Sequence, residues 1–369
     1  MPSIVWTIVS YLLIFSVVCV SHEFGHFLFG RLNGIKVNEF TIGLGPVIFK
    51  KQGKNTLFTI RLFPFGGACI YEGMFPEDEE SDSADDNDAK DSGYIPAPGT
   101  FQAANVWGRI ATVFAGPFFN IILAFLLSVI LCWFCGSDLP IISDTMEGYP
   151  AEEAGLAEGD RIVEIDGQNI YLWREVSVTS MMNQGEPLSI VYERDGNEYE
   201  TVITPKYDAE NDRYYIGFTG GTEHVICNDI SVFKYSWYEV RYWLITTYKS
   251  LGYLLSGNGS KDDLAGPVGV ATVIDETIEE TSQYGIFTVI LNMINITILL
   301  SVNLGVLNLL PIPALDGGRL LLLLIEAVTG KRIPPEKEGI IQLIGFVLLA
   351  GLTVFVLFND ISRIFRGGF

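Results

Sequence analysis

Basic residues are scarce in this chain. Its 369 residues include 23 Lys and Arg against 44 Asp and Glu, a formal net charge of −21. Nucleic-acid recognition rests on cations facing phosphates, so that class of partner is excluded. The acidity is regional: ten acidic residues and a single Lys90 fall between Glu72 and Asp91. Cysteine is sparse too. Five scattered thiols, an odd number, are no disulfide framework. Cys132 and Cys135 form a C-x-x-C at the end of an apolar run, readable as a redox pair or as small packing residues. Histidine is scarcest of all, with three in the chain.

Charge is nearly absent from four stretches: residues 4–20 running into 21–30, 110–134, 286–310 continuing through a Pro/Gly break to 320–325, and 340–358. A bilayer-spanning helix needs about 20 mostly apolar residues, so all four qualify or nearly so. No Lys or Arg precedes the first run and no small-residue cleavage site follows it, so it reads as an uncleaved anchor rather than a signal peptide. Arg31, Lys36, Lys50, Lys51, Lys54 and Arg61 follow it, and Lys331, Arg332 and Lys337 separate the last two spans. The positive-inside rule puts both loops in the cytoplasm and the N-terminus and segment 136–285 outside. Arg363 and Arg366 argue mildly against that scheme.

The expected fold class is a polytopic α-helical membrane protein with about four transmembrane helices, an inserted extracytoplasmic α/β domain and a membrane-associated β-hairpin or sheet. Its parts are a first transmembrane helix (1–30), a cytoplasmic-side β region (31–74) and an acidic linker (75–98) too poor in apolar residues to fold. A second helix (99–136), the α/β domain (137–225), and an amphipathic helix with a connecting loop (226–285) follow. The third helix (286–330) and the fourth with its tail (331–369) complete the plan.

Within the α/β domain, Asp166-Gly167 and Asp195-Gly196 are hairpin signals and 171–184 reads as a helix. The run Ala154-Gly155-Leu156, Gly159-Asp160-Arg161-Ile162 and Ile165 to Ile170 resembles the PDZ family. That resemblance implies a peptide groove at a sheet edge; a ligand-free globular insert is the other reading. Ser231–Leu255 sets Phe233, Trp237, Val240, Leu244, Tyr248, Leu251 and Leu255 at helical spacing. Such a helix lies on the membrane or packs on the α/β domain.

Two of the three histidines fall in His22-Glu23-Phe24-Gly25-His26, on the first predicted helix. The i, i+4 spacing stacks both imidazoles on one face, where a single Zn2+ reaches both, and Glu23 stands ready to take a proton from zinc-activated water. The bland reading is a wet polar patch at a membrane surface. Catalytic zinc wants a third protein ligand. His224 follows the soluble domain on the predicted outer side, so a membrane carboxylate is needed: Glu326 or, better, Asp316. Asp316 lies in Asn308-Leu-Leu-Pro311-Ile-Pro313-Ala-Leu-Asp316-Gly317-Gly318, where prolines and glycines interrupt a helix. Broken backbone at membrane depth suits a wet cavity walled by protein. On the topology above, both motifs end near the cytoplasmic face. Asn308 serves either a substrate backbone or a neighbouring helix.

Taken together, the chain resembles the site-2 protease family of intramembrane zinc metalloproteases, in particular the bacterial regulator-of-sigma-E protease type, here with a single PDZ domain. The residues that carry the likeness are His22 to His26, Gly43-Leu44-Gly45-Pro46, Phe63 to Gly67, Ala115-Gly116-Pro117 with Asn120, the PDZ-like run, Gly266-Pro267-Val268-Gly269, and Asn308 through Gly318. The resemblance implies zinc held by His22, His26 and Asp316, Glu23 as general base, and Asn308 as a substrate-binding residue. It implies single-span membrane-protein substrates, such as anti-sigma factors or remnant signal peptides, cut at the bacterial plasma membrane. It also implies a peptide or a substrate ectodomain at the PDZ-like domain.

Overall fold

The computed structural model describes residues 4–73, 97–208, 213–257 and 265–366. The acidic linker expected at 75–98 falls almost wholly outside them. From the N-terminus, α1 (Ile4–Leu32) leads into β1 (Val37–Gln52) and β2 (Leu57–Tyr71), and then α2 (Val106–Cys135). Short elements follow: β3 (Ser137–Asp138), β4 (Ile142–Thr145), α3 (Pro150–Glu153), β5 (Arg161–Ile165), β6 (Gln168–Asn169) and α4 (Trp173–Met182). After them come β7 (Leu188–Arg194), β8 (Asn197–Ile203), β9 (Lys206–Asp208), β10 (Arg213–Tyr215), β11 (Phe218–Gly220) and β12 (His224–Val225). The chain ends in α5 (Ser231–Leu255), α6 (Pro267–Ser282), α7 (Ile286–Asn308), α8 (Asp316–Thr329) and α9 (Pro335–Arg366). Residues up to Ala124 and from Leu251 onward make one compact unit, and Phe125–Ser250 make the other.

Among the described residues, four helices are long and apolar enough to cross a bilayer: Ile4–Leu32, Val106–Cys135, Ile286–Asn308 and Lys337–Arg366. Along the last, Leu343, Phe346, Leu348 and Val354 point outward and exposed, a face that lipid suits and water does not. The third span is shorter than the sequence suggests. Pro311 and Pro313 lack the N–H that a helix needs and bias the residues before them toward extended backbone, so α7 stops at Asn308 and α8 begins at Asp316. The turn between them is tight: a Cβ on Gly318 would sit 2.9 Å from Pro313 Cα.

The stretch after α5 is a correction. A connecting loop is expected there from sequence, yet residues 267–282 form α6. Pro267 at the first helical turn is the signal that was present. Ile274 and Ile278 of α6 pack with Ile14 of α1 and Val289 of α7. The α6 N-terminus is closed from α9: the buried Asp360 carboxylate accepts the N–H groups of Gly266, Val268 and Gly269 at 3.0–3.1 Å.

In the second unit, an antiparallel sheet runs β6-β5-β7-β8. Its hairpin turns place Asp166 and Gly167 at φ 49° and 77°, and Asp195 and Gly196 at 52° and 75°. Left-handed pairs of this kind match the strand twist, as the D-G signals predict. Ile162, Ile165, Val176, Leu188, Ile190 and Ile203 fill the core. The carboxylate of Glu175 caps α4 by accepting the N–H groups of Tyr171 and Leu172. Strand β11 pairs with β4, and β11 and α4 border a groove of about 950 Å³ lined by Trp173, Val176, Met181 and Phe218. One face of α5 is bound to this domain: Arg174 pairs with Asp138 and Glu239, and Arg241 with Glu175. Its other face leaves Phe233, Trp237 and Tyr248 exposed. All five cysteines are free thiols, and Cys132 packs with Cys227 and Val232.

Candidate active site

The first unit brings one polar cluster together inside its apolar helices. On α1 the i, i+4 spacing places His22 and His26 with their rings 4.7 Å apart and Nε2 atoms 3.2 Å apart. Asp316, in the first turn of α8, puts Oδ2 3.0 Å from His22 Nε2 and 3.3 Å from His26 Nε2. Both imidazoles are buried at 8% exposure. These three are the group of His, Cys, Asp and Glu side chains, among the described residues, whose ligand atoms gather within 4.8 Å.

The donor set fits a zinc ion. His26 Nδ1 lies 2.9 Å from the Thr112 carbonyl. A carbonyl only accepts, so in the neutral ring Nδ1 carries the proton and Nε2 presents a bare lone pair. Asp316 Oδ2 is buried, and no neutral donor bonds to it. Lone pairs and a carboxylate oxygen thus converge where only a cation satisfies them. Around tetrahedral zinc, with ligand bonds of about 2.0–2.2 Å, ligand atoms sit roughly 3.3–3.6 Å apart. The observed 3.0–3.3 Å is close to that edge and slightly inside it.

Glu23 lies on the same helix, against Gly67 of β2. Helix and strand touch without a side chain between them, because a Cβ on Gly67 would lie 2.6 Å from Glu23 Cγ. Tyr71, at the end of β2, donates its hydroxyl to the His26 carbonyl at 2.9 Å. A cavity of about 330 Å³ joins these parts, lined by His22, Glu23, His26, Asn308, Asp316 and the β2 residues 68–71. The cluster and the candidate Asn308 therefore share one space.

The wall matters as much as the cluster. Residues 39–42 of β1 have β2 partners on both sides: Glu39 is opposite both Ile70 and Leu57, and Thr41 opposite both Ala68 and Thr59. Residues 67–71 pair with β1 alone among the described strands, so they form an outer edge, and that edge faces the cavity. Glu39 fastens the middle of the sheet by accepting the hydroxyls of Thr41 and Thr59. Burial pushes its carboxyl up, but those hydroxyls and the Arg61 guanidinium outweigh burial and hold it below the usual range.

Two rival ligands are placed elsewhere. Glu326 forms a fork with Arg109, at 3.1 and 2.5 Å, and His224 is an exposed residue of β12 in the second unit. Sequence reasoning missed the contribution of α2. Gly116 lies where a Cβ would collide with His26 Nε2 and sit 2.9 Å from His22 Cε1, so only glycine lets α2 approach the imidazoles. Its signal in the sequence is the small-residue run Ala115-Gly116-Pro117.

Known proteins resemble the whole chain. The family profile described as Peptidase family M50 matches residues 10–352. The zinc metalloprotease RasP of Bacillus licheniformis is 32% identical over 425 aligned residues, covering 97% of this chain and 99% of that one. The regulator of sigma-W protease RasP of Bacillus subtilis is 31% identical, again covering 97% and 99%. Among solved structures, the PDZ domain of an SdrC-like protein from Listeria monocytogenes covers 22% of this chain and 87% of that domain, at 23% identity and a TM-score of 0.21.

Proposed function

The chain belongs to peptidase family M50, the site-2 proteases, and from that premise we propose that it is a zinc endopeptidase that cuts single-span membrane proteins within or beside the bilayer. The convergence of His22, His26 and Asp316 beside Glu23, in one cavity walled by a strand edge, carries this reading. His22, His26 and Asp316 hold the metal. Bound zinc supplies Lewis acidity toward the scissile carbonyl and toward water. Glu23 accepts the proton of the attacking water and returns it to the leaving amine.

A transmembrane substrate arrives as a helix whose carbonyls are already hydrogen-bonded, and it must unwind before attack. The β2 edge offers the unwound segment main-chain partners in place of those it gives up. Asn308, in the same cavity, donates its amide to the substrate backbone. The basic residues after α1 and between α8 and α9 support a cytoplasmic-side active site in the bacterial plasma membrane, with the α/β domain outside. There the groove between β11 and α4 receives a peptide or the substrate's own ectodomain. Anti-sigma factors and remnant signal peptides fit this substrate class; the name of the Bacillus subtilis relative, a regulator of sigma-W protease, supports the first.

The test is cleavage of a model single-span substrate by the purified chain, with zinc measured in parallel. Glu23→Gln retains zinc and loses roughly 10²–10⁴-fold in rate. Asp316→Ala loses both zinc and cleavage, and a chelator abolishes turnover that added zinc restores. Normal turnover by either variant, or by the chelated protein, would overturn the proposal.

A further inference from the structure

His26 has its orienting partner in the Thr112 carbonyl; His22 needs one as well. Its Nδ1 faces the side-chain amide of Asn120 at 3.5 Å. Asn120 is fully buried on α2, at 0% exposure, and its Oδ1 has no hydrogen-bond partner. Thr112, Gly116 and Asn120 follow one another at four-residue spacing along one ridge of α2. Thr112 meets His26 and Asn120 meets His22, so the two helices run antiparallel here. The contact is fixed on both sides: Ser21 Oγ donates to the Phe119 carbonyl at 3.1 Å, and Ser301 Oγ of α7 donates to the Asn120 carbonyl at 2.8 Å.

The tautomer decides how the amide must point. For His22 Nε2 to offer a lone pair beside His26 Nε2 and Asp316 Oδ2, the proton must sit on Nδ1. An N–H at Nδ1 needs an acceptor, and the amide nitrogen is not one. Oxygen and nitrogen of an Asn side chain have nearly the same shape, and the hydrogen-bond network assigns them. We infer that Asn120 is the positioning residue of His22: with its amide turned so that Oδ1 accepts from Nδ1–H, it locks His22 as a metal ligand. The unpartnered Oδ1 and the unpaired N–H then satisfy each other. The turn moves the amide N–H groups into the place Oδ1 leaves, so the gain lies at the imidazole. Orienting partners of this kind typically change metal affinity by 10–100-fold. This role rests on the zinc reading above and gives the Gly116-Pro117-x-x-Asn120 run a chemical purpose.

Two substitutions isolate the acceptor. Asn120→Leu keeps the bulk and removes it; Asn120→Asp keeps an acceptor and has no N–H at all. The readouts are zinc affinity by chelator competition on the full, detergent-solubilised chain, and nitrogen-15 spectra of labelled histidine. With three histidines in the chain, the His22 signals can be assigned by one Gln substitution. Expected results are a loss of roughly 10–100-fold in zinc affinity for Asn120→Leu, near wild-type affinity for Asn120→Asp, and a protonated, hydrogen-bonded Nδ1 in the wild type and Asn120→Asp alone. Ser301→Ala disturbs the same helix contact without touching the imidazole and should leave zinc affinity unchanged. Melting of the chelator-stripped proteins reports folding separately. If Asn120→Leu also melts early without zinc, the Asn120→Asp affinity decides. Wild-type affinity in Asn120→Leu, or equal losses in both variants, overturns the role of Asn120 alone. A wild-type chain that takes up no zinc overturns this inference and the proposed function together.

Discussion

Two sets of ionic side chains buried among the apolar helices contrast. His22, His26 and Asp316 point polar atoms at one another with no neutral donor among them, an arrangement that only a cation completes. Arg109 and Glu326 complete each other in a planar fork, with the arginine side chain 3% exposed. The difference separates a ligand set from a brace. From sequence both Asp316 and Glu326 were candidate third ligands, with the Pro/Gly break favouring Asp316, and in the fold the partner each finds separates them. Removing one member of a buried pair strands the other's charge, which typically costs about 3–5 kcal/mol. Glu326→Ala should therefore destabilise the first unit by roughly that amount while leaving zinc binding intact in the folded fraction. Thermal unfolding with a parallel zinc assay checks this, and a variant as stable as wild type would show that the fork is no brace.

At the scale of elements, α6 shows what periodicity alone does not reveal. Its sequence, with Pro267 opening it and Ile274 and Ile278 one turn apart, is compatible with a helix. A short helix between two apolar runs has no reason to form, however, until something covers its apolar side and closes its N-terminal amides. The cover is α1 and α7, and the closing group is Asp360, 91 residues or more away in sequence. A carboxylate accepting several N–H groups at a helix N-terminus is favoured by hydrogen bonding and by the helix dipole. Asp360→Ala should loosen the N-terminal turn of α6, at a cost of about 1–2 kcal/mol. Hydrogen exchange at residues 266–270 would read that loosening directly, and unchanged protection there would refute it. The break between α7 and α8 was easier to foresee, because proline forbids the helix locally and needs no distant partner.

For the whole molecule, orientation in the membrane is the property from which the proposed chemistry takes its setting. Residues 4–32, 106–135, 286–308 and 337–366 have the length and apolar character to span a bilayer, and the direction proposed for them rests on the positive-inside rule applied to the basic loops. Asn197, the exposed first residue of β8, and Lys331, exposed after α8, test it from opposite sides. In a background where the five native cysteines are replaced, Asn197→Cys should react with an impermeant thiol reagent in intact cells. Lys331→Cys should react only after permeabilisation. The reverse pattern would invert the topology and move the β2 edge to the other face.

Sequence alone determined what depends on neighbours along the chain: four apolar spans, the D-G hairpins, the stacking of two histidines one turn apart, and the proline break before Asp316. These follow from helix pitch, backbone sterics and the cost of charge in lipid, all local quantities. Tertiary structure decided what depends on residues remote in sequence. It set Asp316 rather than Glu326 against the imidazoles, turned residues 67–71 into an edge facing them, and brought Gly116 and Asn120 against the histidines. Those choices rest on which buried polar groups find partners once the helices pack, and a partner remote in sequence leaves no trace in the local pattern.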